Sequence, residues 1–122
     1  MGLDSYLNSV EGSDKNKLFM CDEELVEDRE IGYYRKFWTL HEWMSKAAMS
    51  HGYSNEDEFN CVSFKLSQKL LDQLEYDISH NKIDKSYNDF AFDEKLNELL
   101  KSIAIARKEM KAGRDVYYSS SY

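Results

Sequence analysis

An apolar stripe at helical spacing, between about Ile31 and Ser50, constrains the fold of this chain more than any other feature. Its members recur every three or four residues and are Tyr34, Phe37, Trp38, His41, Met44 and Ala48. Polar residues occupy the opposite side of the segment, and Gly52 follows as a stop signal. The pattern predicts a helix over 31–50 whose apolar face packs against another element.

Three other segments have the character of strands. Leu3, Ser5 and Leu7 would share one face of a first strand, with Asp4 and Tyr6 on the other face. The segment 59–66 alternates between apolar and polar residues, as a half-buried strand does. The segment 116–118 is rich in residues that favour strands, and we expect it to complete the sheet.

Two further helices are predicted in the second half of the chain. Ser67 is a suitable N-cap for a helix over 68–80, and Asp93 is a suitable cap for a third helix that Gly113 ends. The 122 residues are the usual size of one domain, so a single domain over 1–122 is expected. The predicted fold is α+β, with three helices packed on a small, mostly antiparallel sheet of N-terminal, central and C-terminal strands.

Charge and cysteine content limit the cellular compartment and the classes of partner that we expect for this chain. A formal net charge of −7 argues against direct nucleic-acid binding, which needs clustered cations. Cys21 and Cys61 form no Cys-x-x-Cys pair, and the first residues lack a basic and then apolar leader. No apolar run approaches the ~20 residues of a membrane helix. The sequence therefore predicts an acidic cytoplasmic protein with free thiols and no membrane contact.

No catalytic signature is present. The chain has no His-Glu-x-x-His pair, no Gly-x-Ser-x-Gly turn and no glycine-rich phosphate loop, so we expect neither a bound metal nor a cofactor. For His41, within the apolar stripe, we favour a hydrogen-bonded core histidine, and a ligand contact or a general base is the alternative.

Two polar segments each allow two interpretations. Arg35 and Lys36, with Tyr33, Tyr34 and Trp38, form either an ordinary solvated helix face or a wall that suits phosphate and base stacking. The C-terminal segment 117–122 is either a frayed polar tail or an adaptable binding surface of Tyr and Ser.

Three short motifs follow one another along the chain. Residues 1–6 read Met-Gly-Leu-Asp-Ser-Tyr, residues 33–36 read Tyr-Tyr-Arg-Lys with His41 and Trp43 after them, and residues 117–122 read Tyr-Tyr-Ser-Ser-Ser-Tyr. In this order the motifs resemble those of a family of small, largely uncharacterised proteins encoded by bacteriophages and prophages. Tyr34 stands where that family often has Trp, and Tyr122 ends the chain where the family's typical ending has Trp. The resemblance implies a phage setting and a shared fold, without an established activity.

The resemblance also favours one site built from both ends of the chain. Its candidate ligand-binding residues are Asp4, Tyr6, Arg35, Lys36, His41, Trp43, Tyr118, Ser119, Ser120 and Ser121. The leading hypothesis is a non-enzymatic counter-defence or host-takeover protein that sequesters a small anionic, nucleotide-type ligand. In it, Arg35 and Lys36 would hold phosphate, while His41 and the aromatic residues would hold the base.

Two alternatives remain at the level of the sequence. The first is an acidic inhibitor of a basic host protein, a possible nucleic-acid mimic, acting through the segment 22–30. The second is a small enzyme with His41 as its base and Asp4 as the orienting carboxylate. The tyrosines near the C-terminus would also suit a homo-oligomer.

Overall fold

The computed structural model describes residues 2–11, 18–21, 29–53, 59–83 and 89–122. Five strands and three helices follow one another in this part of the chain. They are β1 (Asp4–Val10), β2 (Phe19–Cys21), β3 (Arg29–Arg35), α1 (Trp38–Ser50), β4 (Val62–Lys65), α2 (Gln68–Ser79), α3 (Phe92–Lys111) and β5 (Asp115–Ser121). The predicted α+β fold with three helices and a small sheet is confirmed.

The strands form one sheet in the order β2-β4-β5-β1-β3, and every pairing is antiparallel. The first and last strands of the chain therefore lie side by side at the centre. Their register runs from Asp4 opposite Ser121 to Val10 opposite Asp115. The N-terminal, central and C-terminal strands expected from sequence are all present, and β2 and β3 join them at the two edges.

The predicted helix over 31–50 is wrong in its first third. Residues 29–35 form β3, which pairs with β1, and the helix begins only at Trp38. Ile31, Tyr33 and Tyr34 favour strands, and pairing with β1 outweighs the helical spacing of their side chains. Lys36, with a φ of 55°, turns the chain from strand to helix. The predicted end of the helix, near Ser50 with Gly52 beyond it, is confirmed.

The two later helices agree with the sequence except at one cap. Ser67 caps α2 as expected, because its Oγ accepts from the N–H of Leu70 at 3.1 Å. The prediction that Asp93 caps α3 is wrong: Ala91 holds that position, with a φ of 54°, and Asp93 lies in the first turn. There its carboxylate still suits the positive end of the helix dipole.

The helices cover one face of the sheet, which we call the helix face, and the core lies between them. Leu7, Phe64 and Tyr118 from the strands are fully buried there against Leu40 and Ile103 from the helices. The opposite face of the sheet is called the outer face below. Alternation in β1 is as predicted, since Leu3, Ser5 and Leu7 are buried while Asp4 and Tyr6 are partly exposed.

Gly32 allows β3 to approach α3 closely. A Cβ atom at this position would lie 2.7 Å from Ser102 Oγ and 2.9 Å from Tyr34 Oη. These two hydroxyls are hydrogen-bonded to each other at 2.5 Å in the core. No side chain fits at position 32 unless this bond or the strand shifts.

We therefore expect Gly32→Ala to lower the free energy of unfolding by about 1–3 kcal/mol, the usual cost of overpacking. Chemical denaturation followed by circular dichroism measures it. Ser102→Ala in the same chain removes the nearer of the two oxygens, so it should recover part of the loss. Additive effects of the two substitutions would contradict the steric explanation.

Candidate functional site

The register of the sheet gathers half of the candidate residues on the outer face. Arg35, Asp4 and Ser121 lie in one row across β3, β1 and β5. Tyr6 and Ser119 belong to the next row, since Ser119 is the partner of Tyr6 in β5. These five residues come from both chain ends and from β3, and the strand pairing brings them onto one face of the sheet.

On this face, tyrosines occupy the side nearest β3. The rings of Tyr6 and Tyr33 lie 5.1 Å apart between centroids, and the Tyr33 hydroxyl donates to Asp4 Oδ1 at 2.8 Å. That hydrogen bond to a carboxylate raises the pKa of Tyr33. Asp4 is thus engaged by a neighbouring tyrosine on the outer face.

His41 lies on the other side of the sheet, in a buried polar network. Its Nδ1 is 2.9 Å from the hydroxyl of Tyr118, which is in turn 3.0 Å from Ser5 Oγ. The imidazole is only 7% exposed, and burial lowers its pKa to about 4. Burial also raises the pKa of Tyr118. His41 is therefore neutral at pH 7 and is the hydrogen-bonded core histidine that the sequence favoured.

The C-terminal segment is ordered, so the frayed-tail interpretation is wrong. Asn60 holds the last residue by its main chain: its Oδ1 accepts from Tyr122 N–H at 3.0 Å and its Nδ2 donates to Tyr122 O at 3.1 Å. Ser120 is almost fully buried, and its Oγ donates to the carbonyl of Phe59 at 3.3 Å. Tyr118 and Ser120 thus serve the interior, on the helix face.

The arrangement required for the small-enzyme hypothesis is not formed. His41 and Asp4 lie on opposite faces of the sheet, and each already has a tyrosine hydroxyl as its partner. Within the described residues, no group of three or more His, Cys, Asp or Glu side chains is placed to hold a metal ion.

Arg35 and Lys36 lie at the bend between β3 and α1, away from His41. Both side chains are exposed, and the carbonyl of Arg35 accepts from Lys95 Nζ at 2.7 Å. The N-terminus of α1 beside them is already occupied, because the carboxylate of Asp89 accepts from the N–H groups of Trp38 and Thr39. The residues predicted to bind phosphate and base around one helix therefore do not lie together. Arg35 and Lys36 are at the end of β3, whereas His41 is in the buried core.

Trp43 lines a separate feature, a groove of about 450 Å³ between α1 and α2. We call it the α1–α2 groove. Clefts of this volume suit small ligands. Its lining residues are Thr39, Glu42, Trp43, Lys46, Ala47, Ser50, Leu70, Gln73, Asp77, Lys82 and Ile83.

Hydrogen bonds fix one wall of the groove. The indole Nε1 of Trp43 donates to Asp77 Oδ2 at 2.8 Å, and Gln73 Nε2 donates to Asp77 Oδ1 at 2.9 Å. Both carboxylate oxygens of Asp77 are therefore engaged, and the indole is held against α2. A wall fixed in this way binds a ligand without first losing much conformational entropy.

Thr39 supplies an unsatisfied polar group at the same groove. The residue is 1% exposed, and its hydroxyl has no hydrogen-bond partner among the residues that the structure describes. A buried hydroxyl without a partner costs roughly 1–3 kcal/mol, so most such groups in proteins are paired. Thr39 is also among the residues that line the groove, so a bound molecule would lie next to this side chain.

Of the groove residues, the sequence interpretation identified only Trp43. Thr39 lay on the polar side of the predicted helix, and Gln73 and Asp77 of α2 were not singled out. Their spacing of four residues was a visible signal of a mutual hydrogen bond. What the spacing could not indicate is that α1 packs across them and brings an indole N–H to the same carboxylate.

Comparison with known proteins identifies no relative: no family model, curated protein or solved structure matches the chain. Across the described ranges, no helix is long and apolar enough to cross a membrane. The α1–α2 groove is therefore assigned as the candidate site on its own geometry.

The buried imidazole of His41 makes stability depend on pH. Its folded pKa of about 4 lies below the ordinary value of 6.5, so between these pH values the unfolded chain binds more protons. Above pH 6.5 this histidine does not lower the free energy of unfolding. As the pH falls toward 4, the free energy of unfolding decreases by on the order of 3 kcal/mol. Denaturant titrations at several pH values measure it.

His41→Asn is the informative variant, because its amide can still meet the Tyr118 hydroxyl but does not titrate. We expect it to lose less stability than the unsubstituted protein between pH 7 and pH 4. His51→Asn, which changes an exposed histidine just after α1, is the control and should not flatten the profile. Equal pH dependence in both variants would contradict a neutral, buried His41.

Proposed function

We propose that this protein is a non-enzymatic binding protein that captures a small, planar, anionic ligand of nucleotide type in the α1–α2 groove. Trp43 would contact the planar base, Thr39 and Gln73 would hydrogen-bond its edge, and the lysines of the groove would meet the phosphate. This keeps the ligand class expected from sequence and moves the site from Arg35 and Lys36 to the side of α1 that faces α2.

The observation that carries this proposal is the unpaired Thr39 hydroxyl beside a fixed indole. Stability alone would favour an apolar residue at a buried position where a hydroxyl finds no partner. Binding sites commonly hold groups that are costly in the free protein and are satisfied only by the ligand. Aromatic walls with a few polar groups are also the usual lining of small-molecule clefts.

Two cations support an anionic ligand. Among the described residues, the ion-pair partner of Lys46 is Glu42, at 3.6 Å on an exposed helix face, and such pairs contribute little. Lys82 lies over the ring of Tyr76, with Nζ 5.0 Å from its centroid. The carboxylate of Asp77 is already engaged by two donors. Phosphate could therefore replace Glu42 at Lys46 without displacing the bonds that fix Trp43.

The biological setting rests on the motif resemblance alone. It favours a phage-encoded protein that acts in the cytoplasm of an infected cell, where removal of a nucleotide signal would oppose host defence. The alternative of an acidic inhibitor also stays a prediction, because residues 22–28 of its acidic segment lie outside the described residues.

Thr39→Val tests the proposal with AMP as the probe. Replacement of the unpaired hydroxyl by a methyl group should raise the free energy of unfolding of the ligand-free protein by about 1 kcal/mol. The same change should weaken AMP binding about tenfold, equivalent to ~1.4 kcal/mol. Denaturation and isothermal titration calorimetry measure the two effects.

The matched control is Thr39→Ser, which keeps the hydroxyl and should keep AMP binding within a few-fold. Ribose 5-phosphate, which lacks the base, should bind more weakly than AMP to every variant. If Thr39→Val bound AMP as tightly as the unsubstituted protein, or if AMP did not bind at all while the fold was intact, the proposed site would be wrong.

A further inference from the structure

β3 lies at one edge of the sheet, and part of its backbone faces outward. The N–H of Lys36 donates to the carbonyl of Leu3 at 2.6 Å, one residue beyond the Asp4–Arg35 pair, which makes Asp4 and Arg35 a non-hydrogen-bonded pair of the β1–β3 ladder. Hydrogen-bonded and non-hydrogen-bonded pairs alternate along antiparallel strands. Arg35 and Tyr33 therefore direct their N–H and C=O groups away from β1.

The contact from α3 agrees with this alternation. Lys95 Nζ reaches the carbonyl of Arg35 from outside the sheet, at 2.7 Å. No strand of the described part of the chain pairs with the other outward groups, the N–H of Arg35 and both groups of Tyr33. Unpaired groups of this kind are a template for a further strand.

Opposite charges lie at the two ends of this edge on the outer face. Arg35 and Glu30 are both exposed, and their β1 partners, Asp4 and Asn8, place them on the same side of the sheet. Between them lies Tyr33, 48% exposed, a large side chain to leave in solvent. A bulge at Ile31, between the partners of Leu7 and Asn8, brings Glu30 onto this face.

We propose that a second copy of this chain pairs antiparallel with β3 about a twofold axis at Tyr33. Around such an axis, Tyr33 of each copy can exchange both backbone hydrogen bonds with Tyr33 of the other. Arg35 of each copy then lies opposite Ile31 of the other and next to the adjoining Glu30, so the charged edge is complementary to itself. A twofold interface repeats every contact, which gives two such ion pairs.

This inference goes beyond ligand capture and uses none of the groove residues, so the two proposals fail separately. The charges of this edge favour a second copy over a different partner. A partner strand whose charges all have one sign would meet a like charge at one of the two ends of the edge. The two tyrosine rings at the axis would cover each other, as aromatic residues at interface centres do.

Sedimentation of the full chain over a concentration series tests the pairing. We expect a reversible dimer that weakens as salt screens the ion pairs. Arg35→Glu alone places two carboxylates together at each end, and Glu30→Arg alone places two guanidinium groups together. Each variant should therefore be monomeric at concentrations where the unsubstituted protein is a dimer.

A mixture of the two variants is the decisive sample. In a heterodimer of the Arg35→Glu chain with the Glu30→Arg chain, opposite charges meet at both ends, so the mixture should dimerise. Lys108→Glu, an equal change of sign at an exposed position near the far end of α3, should leave the dimer intact. A monomeric unsubstituted protein, a monomeric mixture, or a dimer that survives both single variants would each overturn the proposal.

Discussion

The pairing of the first strand with the last is the constraint on which the rest of this structure depends. β1 and β5 are aligned over their full length at the centre of the sheet. Within the sheet, β3 pairs only with β1, and β4 and β2 follow from β5. A sheet centred on the two ends of a chain is complete only when both ends are in place. This explains why Asn60 holds the backbone of Tyr122 with two hydrogen bonds.

A buried polar network joins α1 to both central strands. His41 of α1, Tyr118 of β5 and Ser5 of β1 form a continuous chain of hydrogen bonds in the core. The network positions α1, and one side of α1 lines the groove along the length of the helix. In a sequence, residues of these types could be taken for catalytic groups. In the structure they hold α1 on the sheet. Complete satisfaction of such a network specifies one arrangement of the elements.

Much of the fold was predictable because the local sequence patterns favour the same secondary structure as the tertiary contacts do. Alternation at Leu3–Leu7 and the N-cap at Ser67 each follow from chemistry within a few residues. The segment 31–35 was not predictable in this way, because Tyr34 suits both a helical stripe and a strand, and only pairing with β1 decides between them.

The candidate site shows the same limit of prediction from local sequence patterns, here for residues that are far apart in the chain. Sequence motifs grouped Asp4, Tyr6, Ser119 and Ser121, and these residues do lie on one face of the sheet because β1 and β5 are neighbours. They could not separate the two faces of the sheet, so Tyr118 and Ser120, which alternate with Ser119, were assigned to the same site. The groove depends on how α1 packs against α2, and no pattern within either helix contains that information.

The most direct test of the account is a proton–nitrogen NMR titration of the indole N–H signals with AMP. The chain has two tryptophans, and only Trp43 lines the α1–α2 groove, so Trp38 serves as an internal reference. The account predicts a saturable shift of the Trp43 signal with little change at Trp38. A shift at Trp38 alone, or no shift at either indole, would contradict it.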